Sequence, residues 1–218
     1  EHQAHWMRYA AADSLEACFD FLEQFPELIR EDGLLTWLDE QINARVIEGD
    51  LNAVRVLANK AVAVIAARRA GPKAAQKDTA ALRDIYNGIM AGARLLGAAL
   101  QFIEAEDGAA YLDAHPETLQ NEAFGAALDD QQARAAQDGV VNRFRRIGER
   151  RDLWKNVATL GMEQGLRQHT IYLSTPRDNR QILTEIGVSL LQRAGDIDSR
   201  RDVLERYPQV VSSEGYAL

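Results

Sequence analysis

Residues 21–29 read Phe21-Leu22-Glu23-Gln24-Phe25-Pro26-Glu27-Leu28-Ile29, and the same pattern of residue types occurs twice more along the chain. The second copy is Tyr111-Leu112-Asp113-Ala114-His115-Pro116-Glu117-Thr118-Leu119, and the third is Val203-Leu204-Glu205-Arg206-Tyr207-Pro208-Gln209-Val210-Val211. The prolines of the three copies follow one another at intervals of 90 and 92 residues. A nearly constant interval of this size indicates a repeat protein, in which similar units stack in a row.

The match extends beyond the quoted stretch. At an offset of 90 residues, Gly49 falls on Gly139 and Gly71 falls on Gly161. Chance is the alternative explanation, because short apolar strings that end in an aromatic residue and proline are common in helical proteins. Three copies at nearly one interval, with both glycines in register, favour a true repeat.

The apolar residues follow helical periodicity. Leu34, Leu38, Ile42 and Val46 recur at steps of four, which predicts one face of an amphipathic helix. Period-2 alternation of strand-forming residues is nearly absent, while Ala, Leu, Arg, Glu and Gln are abundant. We therefore predict an all-α fold, specifically a right-handed α-solenoid of stacked antiparallel helix pairs with an internal period of about 90 residues.

Glycine and proline mark the expected helix boundaries. Gly49 predicts a helix C-terminus, and Asp50 is a good N-cap for the next helix. Gly71 followed by proline predicts a second helix end. Thr175-Pro176 predicts a helix start, and Gly148 predicts a bend in the helix that contains it.

These signals divide the chain into four segments. We predict an N-terminal lead-in over residues 1–12, a first repeat unit over 13–100, a second over 101–193 and the start of a truncated third over 194–218. Each full unit is expected to hold about four helices. The leucines four residues before the repeated prolines, Leu22, Leu112 and Leu204, are predicted to be buried equivalents. Because a terminal repeat needs a polar cap, the early stop of the third copy predicts a longer protein.

The quoted stretch, with Leu38-Asp39-Glu40-Gln41-Ile42-Asn43-Ala44-Arg45-Val46-Ile47-Glu48-Gly49-Asp50 after it, resembles the hairpins of degenerate tetratricopeptide-like arrays in bacterial multidomain proteins. Such arrays occur beside caspase-like or nucleotide-binding domains. The resemblance covers most of residues 13–218, although the strict tetratricopeptide pattern of about 34 residues is not met. It implies a scaffold or sensor role.

Composition excludes several functional classes. The net charge of −8 and pI near 5.1 disfavour general nucleic-acid binding, which needs a basic face. No run approaches the roughly 18 apolar residues of a membrane span, so we expect no membrane partner. Cys18 is the only cysteine, which precludes an intrachain disulfide and fits a cytoplasmic location. Its apolar neighbours predict a buried core residue rather than a nucleophile.

No motif identifies a reaction. His169 has no recognisable triad or zinc spacing around it, and His115 occupies a repeat position held by Phe25 and Tyr207, which favours packing. Carboxylate clusters such as Asp129 with its neighbour are expected to be solvated. Phosphate-binding and nucleotide-binding glycine motifs are absent. We predict no catalytic residue, no metal and no cofactor, and hence no enzyme.

One basic cluster stands out in this acidic chain. It predicts a partner-binding strip for an acidic peptide or a phosphate, formed by Arg143, Arg146, Arg150, Arg151 and Lys155. The first three recur at helical steps and are expected to share one exposed face. The alternative is an ordinary solvated helix face whose cations pair with neighbouring acids.

Together these features favour a protein–protein interaction or scaffold module of a larger bacterial protein. Two other classes stay open at this point. A ligand- or peptide-sensing regulatory solenoid predicts a deep, polar-lined pocket. A helical enzyme without a recognised motif predicts ionisable groups with perturbed pKa values in one cleft. The sequence leaves the oligomeric state open.

Overall fold

The computed structural model describes residues 2–30, 32–174 and 178–211. Within these ranges the regular structure is helical and no strand occurs, which confirms the predicted all-α class. The chain divides into two compact units, Glu1–Ala98 and Ala99–Leu218. The helix start predicted at Thr175-Pro176 lies outside the described residues.

The first unit is built around one central helix. Its helices are α1 (His2–Ala10), α2 (Leu15–Gln24), α3 (Glu27–Arg30), α4 (Asp32–Glu48), α5 (Leu51–Ala70), α6 (Pro72–Ala75) and the larger part of α7 (Thr79–Glu104). Helix α5 contacts α2, α3, α4 and α6. It is buried on several sides, since the consecutive residues Val62, Ala63 and Val64 are all buried, which is typical of a helix in the middle of a core.

The second unit has a central helix of its own. After the last turns of α7 come α8 (Gly108–Ala114), a 3-10 turn (Pro116–Thr118), α9 (Glu122–Gln137), α10 (Val141–Leu160), α11 (Met162–Ser174), α12 (Asn179–Arg193), α13 (Ile197–Arg206) and a second 3-10 turn (Pro208–Val211). Helix α10 contacts α8, α9, α11 and α12. It runs without interruption through Gly148, so no helix boundary falls there, and a bend of the helix axis at this residue stays a prediction.

The three copies of the quoted stretch share one backbone geometry. Helices α2, α8 and α13 end at Phe25, His115 and Tyr207, where φ and ψ are −127° and 68°, −129° and 57°, and −128° and 65°. In each copy the N–H of this aromatic residue donates to the carbonyl four residues earlier, and the proline follows at once. The backbone therefore makes the same turn in all three copies, and we call this turn the corner.

The predicted glycine boundaries also agree with the structure. Helices α5 and α10 cover 51–70 and 141–160, an offset of 90 residues at both ends. They end at Gly71 and Gly161, whose φ angles of 78° and 80° lie in the region that favours glycine. Asp50 caps α5, because its carboxylate accepts a hydrogen bond from the N–H of Ala53 at 3.0 Å.

Other details differ between the units. After the matching glycines, α6 has 4 residues and α11 has 13. Leu22 and Leu112 are fully buried, as predicted, but Leu204 is only half-buried. The physical reason is that α13 contacts α12 and the turn after it, whereas α2 and α8 each also contact a central helix.

Candidate functional site

Two of the five predicted partner-binding cations hold the end of a helix. The Nε of Arg146 donates to the carbonyl of Ile103 at 2.9 Å, and its Nη2 donates to the carbonyl of Glu104 at 3.1 Å. Its Nη1 also lies 3.1 Å from the carboxylate of Glu104. Because the last carbonyls of a helix have no partner within the helix, Arg146 caps the C-terminus of α7.

Arg150 continues this cap one turn further along α10. Its Nη2 donates to the carbonyl oxygens of Ala105 and Glu106. The guanidinium also lies over the Phe102 ring, 5.8 Å from its centroid. Burial lowers the pKa of Arg150, and the positive charge of Arg146 lowers it further.

An equivalent cation occupies the first unit. Lys60, 90 residues before Arg150, is buried, and its ammonium donates to the carbonyl of Ala12. Ala12 and Ala105 each lie three residues before the first residue of the next helix, α2 or α8. Arg150, which the sequence places in a binding strip, therefore makes a structural contact, and Lys60 makes the equivalent contact in the first unit.

The remaining predicted cations lie elsewhere on α10. The Nε of Arg151 pairs with the Asp129 carboxylate, and Arg151 lines a polar groove of about 460 Å³ between α9, α10 and α12. Arg143 and Lys155 are exposed, and within the described ranges their side chains make no ion pair or hydrogen bond. The five cations therefore do not form one open strip. Partner binding by them stays a prediction.

Arg146 and Arg150 also line a cleft of about 580 Å³ between α10, α11 and the segment that joins α7 to α8. We call it the α10–α11 cleft. It is lined by Ala105, Glu106, Asn142, Arg145, Arg146, Glu149, Arg150, His169 and Leu173. Arg145 is half-exposed and lies 3.8 Å from the Glu149 carboxylate, so it is only loosely paired. Ionisable groups of both signs thus converge on one concave surface, the kind of site that binds ligands.

A carboxylate holds the histidine of this cleft in place. Nδ1 of His169 lies 2.9 Å from the Asp152 carboxylate, which also accepts a hydrogen bond from Asn156 at 2.9 Å. The imidazole stacks against Tyr172, with centroids 5.9 Å apart. Because a carboxylate accepts hydrogen bonds, Nδ1 carries the proton, which leaves Nε2 without a hydrogen bond to Asp152.

The close packing of α10 and α11 brings this pair together. A Cβ atom on Gly165 would lie 2.6 Å from the backbone of Val157, so the two helices approach closely where a glycine permits it. Asp152 lies nine residues before Gly161, and His169 lies eight residues after it. In an antiparallel helix pair, residues at nearly equal distances from the turn lie beside one another.

Sequence reasoning missed the pairing of Asp152 with His169. The available signal was the helix-ending Gly161, which places α10 and α11 side by side in opposite directions. Asp152 is 17 residues from His169, too far along the chain for local spacing to reveal the pair. Positions at nearly equal distances before and after Gly161 include Asp152, nine residues before it, and His169, eight residues after it.

Within the described ranges, no three His, Cys, Asp or Glu side chains cluster in a way that could hold a metal ion. Among the described helices, none combines the length and the apolar character needed to cross a bilayer.

No protein-family model matches this chain, and no curated protein and no solved structure matches it. The geometry of the chain itself therefore carries the functional inference.

Proposed function

We propose that this chain is a helical-repeat module that binds another protein and acts as a scaffold or adaptor within a larger, bacterial-type multidomain protein. In this proposal the helices stack as a right-handed solenoid with a period of about 90 residues. Repeat arrays of this kind present long surfaces, and their usual function is to bind other macromolecules.

The observation that supports the proposal most directly is the corner that recurs at Phe25, His115 and Tyr207. Each corner follows a helix capped by Ser14, Asp107 or Asp196, and each ends at a proline. Two residues before each cap stands an alanine whose carbonyl accepts a hydrogen bond from a cationic side chain. The donor and acceptor pairs are Lys60 with Ala12, Arg150 with Ala105, and Arg200 with Ala194.

A capped corner that recurs with the same donor and acceptor types is expected of duplicated units. In the first two copies the cation lies at equivalent positions of α5 and α10, whereas Arg200 lies on the capped helix α13 itself. A helical core that had reached a similar shape independently would not need a cation at the equivalent position of both central helices. Helices α5 and α10, which supply Lys60 and Arg150, are also equal in length and end at equivalent glycines.

The proposed partner surface is the outer side of α10, from Arg143 to Lys155, together with the α10–α11 cleft. Arg143 and Lys155 are the exposed cations of the predicted strip, and they make no ion pair with the described residues. Such cations attract an acidic partner and accelerate its association, and salt weakens this attraction.

The cleft also favours a second candidate function, a solenoid that senses a ligand. Its volume of about 580 Å³ and its ring of ionisable side chains suit a small polar molecule. In this case the ligand would bind in the cleft and change the affinity of the module for its partner.

Affinity capture followed by reconstitution tests the proposed function. The chain would be used as bait beside the double variant Arg143→Glu with Lys155→Glu. Arg55→Glu with Arg83→Glu is the matched control, because these exposed arginines of the first unit undergo the same change of charge. We expect a protein that is retained by the parent chain and by the control and is lost with the first variant.

Binding must then be reproduced with the purified partner as a saturable complex that weakens as salt rises. The proposal fails if the retained proteins do not bind after purification. It also fails if both double variants lose binding equally, because nonspecific attraction to basic residues would explain that result.

A further inference from the structure

We propose that the α10–α11 cleft binds a monoanionic carboxylate that carries an aliphatic chain. This inference rests on the proposed binding role of the same face of the molecule, and it specifies the chemical group that the face recognises. The cleft is open, and its lining combines charges of both signs with an apolar wall.

The charges of the lining select a single negative charge. Three arginines, Arg145, Arg146 and Arg150, and two glutamates, Glu106 and Glu149, line the cleft. Outside the lining, Glu104 pairs with Arg146, and Asp152 offsets the charge of a protonated His169. A dianion would meet repulsion from both glutamates, and a cation would meet three guanidinium groups. A carboxylate carries one negative charge, so it is attracted to the arginines and is repelled less by the glutamates than a dianion is.

Arg145 and His169 are the groups that would contact the carboxylate. Arg146 and Arg150 already donate to the carbonyls at the end of α7, so they contribute mainly their charge. Arg145 is half-exposed and only loosely paired, at 3.8 Å from Glu149, which leaves its guanidinium able to turn toward a ligand. Its planar donors suit a carboxylate.

His169 supplies the second contact in its protonated form. Asp152 holds Nδ1, which leaves Nε2–H as the free donor of a protonated ring that lines the cleft. The charged groups around this ring are Asp152 on α10, the three arginines of the lining, and Glu106 and Glu149 of the same lining. The bound carboxylate and Asp152 would then lie on opposite sides of one imidazolium, each accepting a charge-assisted hydrogen bond.

The aliphatic part of the ligand is selected by the apolar wall. Leu173 is 54% exposed, and it lines the cleft together with Ala105. Covering an exposed leucine with an aliphatic chain removes apolar surface from water on both sides of the contact. An aliphatic carboxylate could reach the cleft as a free carboxylic acid or as the C-terminal residue of a peptide.

Titration with small probes tests the inference without a protein partner. The probes are hexanoate, its neutral analogue 1-hexanol, and the peptide acetyl-Ala-Ala-Leu with either a free or an amidated carboxyl group. Binding is followed by NMR of the His169 imidazole. We expect saturable shifts with hexanoate or the free-acid peptide and a Kd on the order of 1 mM. The alcohol and the amide should not bind.

Three variants locate the site. Arg145→Gln and Leu173→Asn change exposed side chains, and each is expected to weaken hexanoate binding about tenfold, the effect of losing one strong contact. Arg167→Gln is the matched control, because Arg167 also lies on α11 but pairs with Glu163 at 2.7 Å, outside the lining of the cleft. It should leave binding unchanged, and thermal unfolding checks that each variant is folded.

The inference is overturned if neither acid gives a saturable shift, if hexanol binds as well as hexanoate, or if Arg145→Gln and Arg167→Gln behave alike. Binding of hexanoate alone identifies a free acid as the ligand, and binding of the free-acid peptide alone identifies a C-terminus. Both results support the inference. If hexanoate binds but affinity capture finds no partner, the scaffold proposal fails and the carboxylate site stands.

Discussion

The ammonium group of Lys60 donates a hydrogen bond to the carbonyl oxygen of Ala12. Lys60 is only 4% exposed, and its own carbonyl accepts a hydrogen bond from the Tyr9 hydroxyl at 2.7 Å. One residue of α5 thereby holds both the end of α1 and the loop that leads into α2. Arg150 makes the corresponding contact in the second unit, to Ala105.

Lys60→Met is expected to lower the free energy of unfolding by about 1–3 kcal/mol, because the Ala12 carbonyl loses its donor. Denaturation in urea measures the change. Lys73→Met is the control, since Lys73 is 83% exposed and its ion pair with Glu23 is long, at 3.6 Å. The control should change stability by less than about 0.5 kcal/mol. Equal effects of the two substitutions would contradict the structural role of Lys60.

Leu112→Ala and Leu204→Ala should differ clearly in cost. Leu112 is fully buried, so its truncation is expected to cost about 2–5 kcal/mol. Leu204 occupies the equivalent position before Pro208 but is only half-buried, so we expect less than about half of that loss. Chemical denaturation of both variants gives the two values. A larger loss at Leu204 would mean that α13 is packed more tightly than this structure shows.

Gly165→Ala should separate α11 from α10. The added Cβ would lie 2.6 Å from backbone atoms of Val157, which cannot move aside as a flexible side chain can. We expect a loss of about 1–3 kcal/mol, typical of overpacking. Gly92→Ala, at an exposed helical position with open space around it, should instead stabilise the protein by about 0.5–1 kcal/mol. The opposite signs distinguish a steric effect from a general effect of replacing glycine.

Asp196 should titrate below its ordinary pKa. Hydrogen bonds from the backbone N–H and then the hydroxyl of Ser199 hold the pKa of this carboxyl below 3.8. Because the folded-state pKa is depressed, the stabilisation is present above pH 3.8 and is lost as the pH falls through the lower value. NMR of the Ser199 amide should report this midpoint. In Asp196→Asn, which keeps the acceptor but does not titrate, the transition should disappear.

The boundaries of α5 and α10 could be predicted from the sequence because local chemistry determines them. Gly71 and Gly161 are needed at their positive φ angles, and Asp50 is an effective cap. Such signals act within a few residues, so they can be found without knowledge of the tertiary structure. The all-α class followed from the same local regularity.

The candidate site depended on information that is not local. The helical spacing correctly grouped Arg146 and Arg150 on one face of α10. It could not show that the unpaired carbonyls after Phe102 would lie against that face and bind both guanidinium groups. Likewise, the carboxylate that holds His169 belongs to another helix, 17 residues away. Spacing predicts which side chains share a face, whereas tertiary packing decides what they contact.

Cys18 should be unreactive in the folded protein. It is 2% exposed, and burial raises the pKa of its thiol, an effect only partly offset by the positive charge of Lys60 and a hydrogen bond with Tyr9. Since the thiolate is the nucleophile, both inaccessibility and the raised pKa oppose alkylation. We expect iodoacetamide at pH 8 to label Cys18 only as fast as the protein unfolds, as followed by mass spectrometry. Cys18→Ala with Ser174→Cys is the control, because position 174 is exposed and should be labelled at once. Rapid labelling of Cys18 without denaturant would show that α2 opens independently of the rest of its unit.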